Sequence, residues 1–238
     1  MAAPNPNKAP IKDGFLTAPR IQLIHAVTAA KAPIHGAFSR LWPEAETGNI
    51  DDLSLPGDLA AAGSLTAAFT ERMAGLIERG VQAGADAILF TCSAFGAAIE
   101  AARQGVAVPV LKPDEAMIGR ALSLGASATP RIGGLATFAP TLASLKSELL
   151  AAAEAMGIEA EITLRHVPGA LDALNAGDGP EHDRLLAAAA GEMTACDCLV
   201  LAQFSMIGAK DAIQDVPARP VLTAPDEAVL KLKGLLGG

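Results

Sequence analysis

The clearest candidate for chemistry in this sequence is a cysteine at the junction of a predicted strand and a predicted helix. Cys92 follows the apolar run Ile88–Phe90, and the residues after it predict a helix. Free N–H groups and the positive end of a helix dipole stabilise a thiolate at such a position, and they also hold carboxylates. We therefore interpret Cys92 as an acid/base or nucleophilic residue. A buried cysteine that only fills the core is the alternative.

Polar side chains are predicted at three further strand ends. His25 closes the first predicted strand and titrates near neutral pH, so it is a candidate second acid/base or anion-binding residue, with a structural histidine as the alternative. Thr137 offers a hydroxyl to a carboxylate. Gln203 offers an amide that orients a polar substrate group but exchanges no carbon-bound proton. Ser205 is a candidate cap or donor for the next helix, and plain capping is its alternative.

Several other kinds of chemistry are disfavoured. Cys196 and Cys198 have no second Cys or His pair nearby, so we expect core filling rather than metal binding. Gly133 lies inside a predicted strand and no dinucleotide fingerprint follows it, so we expect no dinucleotide site there. The chain has 18 Lys+Arg against 26 Asp+Glu, a net charge of −8, which disfavours nucleic-acid binding. It has no Tyr, which removes phenolic acid/base chemistry.

The composition is that of a globular protein. The 238 residues are 51% hydrophobic, enough for one large domain or two small ones. No run approaches the roughly 20 apolar residues of a membrane span, and the N-terminus has no apolar signal region. Three cysteines without framework spacing fit reduced thiols. We therefore expect a cytoplasmic protein with no membrane contact, in which residues 1–18 form a loosely ordered leader.

Short apolar runs alternate with longer Ala/Leu/Glu-rich segments, which is typical of α/β units around a parallel sheet. Strands are predicted at residues 21–26, 86–91, 108–111, 132–137, 161–167, 198–203 and 220–223. Helices are predicted at residues 58–83, 93–104, 114–124, 140–156, 181–195, 205–214 and 226–236. The acidic segment 44–58 is expected to be a solvated loop or a mobile flap.

An internal repeat organises these elements. The triplet Pro-Arg-Ile at 19–21 recurs at 130–132, and Asp86 recurs as Asp197, both 111 residues later. Pro-Val-Leu at 109–111 recurs at 220–222 with the same offset, and Pro-Asp-Glu-Ala at 113–116 recurs at 225–228 after one inserted residue. The chain therefore reads as a duplicated unit. One continuous doubly wound sheet with convergent turns is the alternative.

The duplication predicts an α/β fold of two pseudo-symmetric lobes, each a small parallel sheet flanked by helices, with the active-site cleft between them. The first lobe spans residues 19–112 and is completed by residues 224–238; the second spans residues 113–223. Ligands of open α/β sheets bind at the carboxyl ends of strands, so equivalent residues of the two lobes approach a ligand from opposite sides.

These residues resemble the aspartate/glutamate/hydantoin racemase superfamily, which includes arylmalonate decarboxylase and maleate isomerase. Residues 91–96 (Thr-Cys-Ser-Ala-Phe-Gly) resemble the family's first catalytic-cysteine motif. Residues 201–206 resemble the second motif, and residues 135–137 the carboxylate-binding strand end. The resemblance covers residues 20–236 and implies the same two-lobed fold.

The resemblance implies cofactor-free chemistry in which two cysteines exchange protons on opposite faces of the carbon next to a carboxylate. Cys92 corresponds to the first cysteine, whereas Gln203 occupies the place of the second. The implied substrate-binding residues are Ser93, Ala94, Thr137, Phe138, Gln203 and Ser205. The family often forms dimers, so we expect a homodimer or higher homo-oligomer.

Three hypotheses follow for the function. The first is a racemase or isomerase of a small polar acid or amino acid, with Cys92 as acid/base and His25 or an ordered water as the second proton carrier. The second is a one-cysteine decarboxylase or lyase of the same superfamily, which needs only one protonation. The third is a non-catalytic carboxylate-binding protein. In each case the expected partner is a small-molecule carboxylate.

Overall fold

Two four-stranded parallel sheets form the frame of the protein in a computed structural model, which describes residues 18–124, 129–214 and 219–237. The first sheet has the order β2-β1-β3-β4. Its strands are β1 (Arg20–His25), β2 (Glu46–Asp51), β3 (Ala87–Phe90) and β4 (Val110–Leu111). The second sheet has the order β6-β5-β7-β8. Its strands are β5 (Arg131–Ala136), β6 (Glu161–His166), β7 (Cys198–Leu201) and β8 (Val221–Thr223). The predicted two-lobed α/β class is confirmed.

Helices cover both faces of each sheet. The helices of the first half are α1 (Lys31–Leu41), α2 (Leu55–Ala62), α3 (Ala67–Gln82), α4 (Gly96–Ala102) and α5 (Glu115–Ser123). Those of the second half are α6 (Pro140–Met156), α7 (Ala170–Asn175), α8 (Gly179–Gly191), α9 (Ala209–Gln214) and α10 (Ala224–Leu236). Single 3-10 turns at residues 28–30, 93–95 and 204–206 follow β1, β3 and β7.

The sequence repeat is a repeat of structure. In the first sheet β1 pairs with β3 through Ile21 and Ala87, and in the second sheet β5 pairs with β7 at positions 132 and 198, each 111 residues later. The repeated aspartates make the same contact in both sheets. Asp86 accepts the Arg20 backbone N–H at 2.8 Å, and Asp197 accepts that of Arg131 at 2.8 Å. Each aspartate thus fixes the start of the central strand of its own sheet.

The helix after the last strand of each sheet packs on the other sheet. The α5 residues Met117 and Ala121 are buried with Ile132 of β5, in a core that α6 completes. Conversely, Ala228 and Leu232 of α10 are buried against β1 and α1 in the first lobe. Apolar burial therefore joins the two halves in both directions.

The prediction of a loop or flap for the acidic segment 44–58 is wrong, because this segment contains β2 and the start of α2. Only Ile50 of β2 is buried, because this edge strand is held mainly by parallel backbone pairing with β1. The single helix predicted at residues 58–83 is instead two helices, α2 and α3. Gly63 ends α2 because its backbone is in the left-handed region, at φ +72°. Helices α1 and α7 lie in segments for which the sequence predicted no element.

The predicted leader, residues 1–18, lies outside the described residues except for its last residue. None of the described helices is both long enough and apolar enough to cross a membrane.

Candidate functional site

The candidate site lies where the strand ends of the two lobes meet. The 3-10 turn 28–30 after β1 contacts the turn 204–206 after β7. Phe204 packs against the α1/α10 side of the first sheet and also against the α5/α6 side of the second. All strands are parallel, so the predicted residues His25, Cys92 and Thr137 lie at the carboxyl edges of their sheets.

Cys92 is partly buried at the end of β3. Its backbone is extended (φ −130°, ψ 119°), and the turn Ser93–Phe95 leads directly into α4. The thiol packs against the core between the first sheet and α3, and its sulfur accepts a hydrogen bond from the Ala94 backbone N–H. Ser93 and Ala94 are exposed beside it. The structure thus places a thiol and two exposed turn residues at one strand end.

The acidity of Cys92 differs from the sequence expectation. A helix start was expected to lower the pKa of the thiol. Burial instead raises the pKa of Cys92, the charge of Asp114 raises it further, and the Ala94 N–H opposes both only in part. The helix after it is a short seven-residue segment, whereas desolvation acts on the whole sulfur. At neutral pH Cys92 is therefore a thiol, which is the form that donates a proton.

His25 is fully buried beneath the edge of the first sheet, with an exposed fraction of 0%. Its Nδ1 lies 2.9 Å from the Thr91 hydroxyl oxygen and its Nε2 lies 2.8 Å from Asn49 Oδ1. Burial lowers the pKa of His25, so the ring is neutral, and its Nε2–H donates to Asn49 Oδ1. The Thr91 hydroxyl lies within hydrogen-bond distance of both His25 Nδ1 and the Ile24 carbonyl oxygen, to which it donates at 3.2 Å. Both nitrogens are occupied, an arrangement suited to holding Thr91 and β2 in place.

A second histidine extends this network. His35 Nε2 lies 3.0 Å from the same Asn49 oxygen, and the two imidazole centroids are 6.4 Å apart. Asn49 was not predicted, because the sequence pattern assigned no strand to residues 46–51. Asn49 is placed by the backbone pairing of the edge strand β2 with β1, and a pattern of apolar residues does not predict such pairing.

In the second lobe, Thr137 and Gln203 bind each other. The Thr137 backbone N–H donates to Gln203 Oε1 at 2.7 Å, and the Thr137 hydroxyl donates to the same oxygen at 3.1 Å. Two donors converging on one oxygen are the arrangement that holds a carboxylate oxygen. In this structure the Gln203 amide carbonyl takes both of these Thr137 donors. Ser205, in the turn after Gln203, is partly buried.

Two exposed apolar side chains border the strand ends. Phe138 follows Thr137 and is 51% exposed, and Val27, the residue 111 positions earlier, is 40% exposed. Both lie directly beyond the central strand of their lobe. Phe138 was predicted from the sequence, and Val27 was not; the repeat offset would have found it.

The repeated segment Pro-Asp-Glu-Ala contains an aspartate in each half, Asp114 and Asp226, and the sequence analysis assigns neither of them to the site. Asp226 is buried and accepts from Arg40 at 2.8 Å and from Lys210 at 2.6 Å. Burial opposes its charge, but the two cations hold the pKa of Asp226 below its ordinary value. Asp114, the equivalent residue, is 9% exposed and has no ion pair among the described residues. Burial first, and the charge of Glu148 second, raise the pKa of Asp114 to about 7.

A cavity of about 470 Å³ lies between α1 and residues 207–211, and it is lined in part by the two cations that bind Asp226. Ala32, Pro33 and Gly36 line it from the first lobe, with Arg40 and Lys210 beside the buried carboxylate. Cys92 does not line this cavity.

The other two cysteines lie away from the site. Cys198 is buried in the core formed with α5 and α6, and burial raises the pKa of its thiol to about 12. Cys196 packs against the opposite core of the second lobe. Gly133 and Gly134 permit close packing, since a Cβ atom would lie 2.6 Å from Leu199 and 2.5 Å from Leu164, respectively.

A comparison with models of protein families identifies the family of this chain. A family model described as Asp/Glu/Hydantoin racemase matches residues 56–232, which include Cys92, Thr137 and Gln203. A comparison with curated protein sequences finds no match.

Solved structures of similar fold include racemases and a decarboxylase. Allantoin racemase from Klebsiella pneumoniae is 20% identical with a TM-score of 0.69, over 92% of this chain and 88% of that one. A glutamate racemase from Bacillus anthracis is 14% identical with a TM-score of 0.64, over 93% and 82% of the two chains. Arylmalonate decarboxylase is 16% identical with a TM-score of 0.59, over 92% and 93%. At these identities the likeness establishes the fold.

Proposed function

Since the chain belongs to the Asp/Glu/hydantoin racemase family, we propose that it is a cofactor-independent enzyme that transfers a proton at the carbon next to a carboxylate, with Cys92 as the acid/base residue. The observation that carries the proposal is a partly buried thiol at the end of β3, at the edge where the strand ends of the two lobes meet. The substrate is a small carboxylic acid, and no cofactor takes part in the step.

Carboxylate binding uses donors on both lobes. In the first lobe, the exposed Ser93 hydroxyl lies beside Cys92. In the second, the N–H and hydroxyl of Thr137 form a two-donor site, from which a carboxylate oxygen displaces the Gln203 carbonyl. The released Gln203 amide then orients the substrate, with Ser205, Ala94 and Phe138 completing the surroundings. One such donor is worth about 3 kcal/mol when negative charge develops on the carboxylate.

Proton transfer starts from the thiol. Because the pKa of Cys92 is raised by burial, Cys92 carries a proton and delivers it from sulfur to the carbanionic carbon of the bound intermediate. The resulting thiolate regains a proton from water. In the reverse direction, the thiolate removes the proton from the same face of the carbon.

Racemisation or another isomerisation is the first candidate reaction, and it needs a second proton carrier on the opposite face of the carbon. His25 has both nitrogens engaged and no exposed surface, which favours an ordered water as that carrier and a positioning role for the histidine.

A one-sided decarboxylation or elimination is the second candidate. Gln203 at the position equivalent to Cys92 favours it, because an amide supplies no proton to carbon. This reaction needs only the proton from Cys92, and the fold is shared with arylmalonate decarboxylase. A non-catalytic carboxylate-binding protein would keep Thr137 and Ser93 in use without turnover.

The test is proton NMR in D₂O with amino acids, hydantoins, malonates and maleate, comparing the wild type with Cys92→Ala. Loss of the thiol is expected to lower turnover by about 10²- to 10⁴-fold, the usual contribution of a general acid/base. Cys196→Ala is the matched control and should keep full activity. Full activity in Cys92→Ala refutes the role of Cys92. Deuterium at the α-carbon with both configurations supports racemisation, whereas CO₂ release supports decarboxylation. Binding without turnover across the panel supports the non-catalytic protein.

A further inference from the structure

Asp114 carries a carboxyl that the proposed mechanism does not use. The segment Pro-Asp-Glu-Ala occurs after the last strand of each sheet, and its aspartate is buried in both copies. Asp226 has two cations as partners, whereas Asp114 has no ion pair or side-chain hydrogen bond among the described residues. A nearly buried carboxyl without a counter-charge is costly in its ionised form.

The position of Asp114 relates it to Cys92. β4 pairs in parallel with β3 through Ile88 and Val110, and Leu89 and Leu111. Asp114 follows β4, just as Cys92 follows β3, so both residues lie at the carboxyl edge of neighbouring strands. The negative charge of Asp114 raises the pKa of the Cys92 thiol.

The charged groups around Asp114 come from three elements. Glu148 lies on α6 of the second lobe, is half-buried, and its charge acts against ionisation of Asp114. Lys112, two residues before Asp114, favours ionisation, but its ammonium also pairs with Glu100 of α4 at 3.3 Å. The cluster at this edge therefore consists of the Asp114 and Glu148 carboxyls, the Cys92 thiol and the Lys112 ammonium. The Lys112 ammonium is shared with Glu100.

We propose that Asp114 is a positioning residue: it lies beside Cys92 at the ends of paired strands, and the charge of its carboxyl adjusts the acidity of the Cys92 thiol. This inference rests on the proposed function. When Asp114 is ionised, its charge adds to the effect of burial and raises the pKa of the Cys92 thiol further, which favours the protonated form that donates. When Asp114 is neutral, that repulsion disappears, and a thiolate left after proton donation is tolerated until water returns a proton to it.

The test measures the thiol itself and needs no substrate. Iodoacetamide alkylation of Cys92 is followed by peptide mass spectrometry between about pH 6 and pH 9 in the wild type and in Asp114→Asn. In the wild type Asp114 is ionised at the upper end of this range, so the variant should be alkylated about two- to fivefold faster near pH 8. Near pH 6 the two rates should converge, because Asp114 is then neutral in the wild type. A merely structural effect would change the rate by a similar factor at every pH.

Glu115→Gln is the matched control, since Glu115 is the next residue but its charge is already paired with Arg103 at 2.8 Å. Its alkylation profile should follow the wild type, as should those of Cys196 and Cys198 within each sample. A pH-independent ratio between Asp114→Asn and wild type overturns the proposal. If Asp114→Asn fails to fold, Glu148→Gln replaces it. Without the charge of Glu148, Asp114 ionises at lower pH, so the pH at which the Cys92 alkylation rate responds to Asp114 should fall. An unchanged pH for this response overturns the proposal.

Failure here is distinguishable from failure of the proposed function. An unchanged alkylation profile in Asp114→Asn together with loss of turnover in Cys92→Ala rejects only the role of Asp114. Full turnover in Cys92→Ala rejects the proposed function whatever the alkylation profile shows.

Discussion

The two halves of the molecule repeat one aspartate and give it opposite surroundings. Asp226 is buried between a guanidinium from α1 and an ammonium from α9, which keep it ionised. Asp114 is nearly as buried, but the group beside it from α6 is the carboxyl of Glu148, and the pKa of Asp114 rises to about 7. The same sequence motif is thus a fixed charge in one half and a titrating group in the other.

The strand ends diverge in the same way. At equivalent positions the first lobe carries a thiol, Cys92, and the second an amide, Gln203, which is bound to Thr137. The strand starts have not diverged: Asp86 and Asp197 hold the backbone of Arg20 and Arg131 at the same distance, 2.8 Å. The two lobes therefore share a scaffold at one edge of each sheet and differ in charge and chemistry at the other.

The largest effect on stability is expected from removing the charge of Asp226. Asp226→Asn removes the carboxylate that accepts from Lys210, which is largely buried, and from Arg40, which is half-exposed, so we expect a loss of about 2–4 kcal/mol in the free energy of unfolding. Urea unfolding at neutral pH measures it. Asp211→Asn is the control, because Asp211 is exposed on the same helix as Lys210 and should change stability by less than about 0.5 kcal/mol. Equal losses in the two variants would contradict a special role for the buried ion pairs.

The equivalent substitution in the first half, Asp114→Asn, is expected to raise the free energy of unfolding instead of lowering it. The folded-state pKa of Asp114, about 7, lies above its ordinary value of 3.8, so the wild type loses stability as the pH rises from about 4 to about 7. Asp114→Asn removes this loss and should stabilise the protein at about pH 8 by about 1–3 kcal/mol; full conversion of the raised pKa sets the upper limit, about 4 kcal/mol.

Urea unfolding of wild type and Asp114→Asn at about pH 5 and pH 8 tests this sign, the gain being larger at the higher pH. Other titrating groups are common to both proteins, so the difference isolates Asp114. A loss of stability at pH 8 in Asp114→Asn would show that the two aspartates are equivalent after all.

The contrast also separates what a sequence reports from what it does not. The repeat, the parallel sheets and the strand-end positions of Cys92 and Gln203 follow from local patterns and a constant offset. The β2 strand was missed because an edge strand such as Glu-Thr-Gly-Asn-Ile-Asp buries little apolar surface, and with it Asn49. The partners of Asp226 lie 186 and 16 residues away, so no local motif distinguishes it from Asp114. The raised pKa of Cys92 likewise depends on burial by distant elements rather than on the helix start beside it.

The smallest expected effect comes from making the two strand ends alike. Gln203→Cys supplies a thiol at the position equivalent to Cys92, and it removes the carbonyl that occupies the two donors of Thr137. If the lobes hold opposite faces of the substrate carbon, α-proton exchange in D₂O should rise by about tenfold, equivalent to about 1.4 kcal/mol in the barrier, with both configurations formed. Gln203→Ala is the matched control, because it vacates Thr137 without adding a thiol. Equal exchange in both variants would assign the gain to the vacated carboxylate site and would reject a second proton-transfer position in the second lobe. A gain confined to Gln203→Cys would mean that this one amide is what makes the chemistry one-sided.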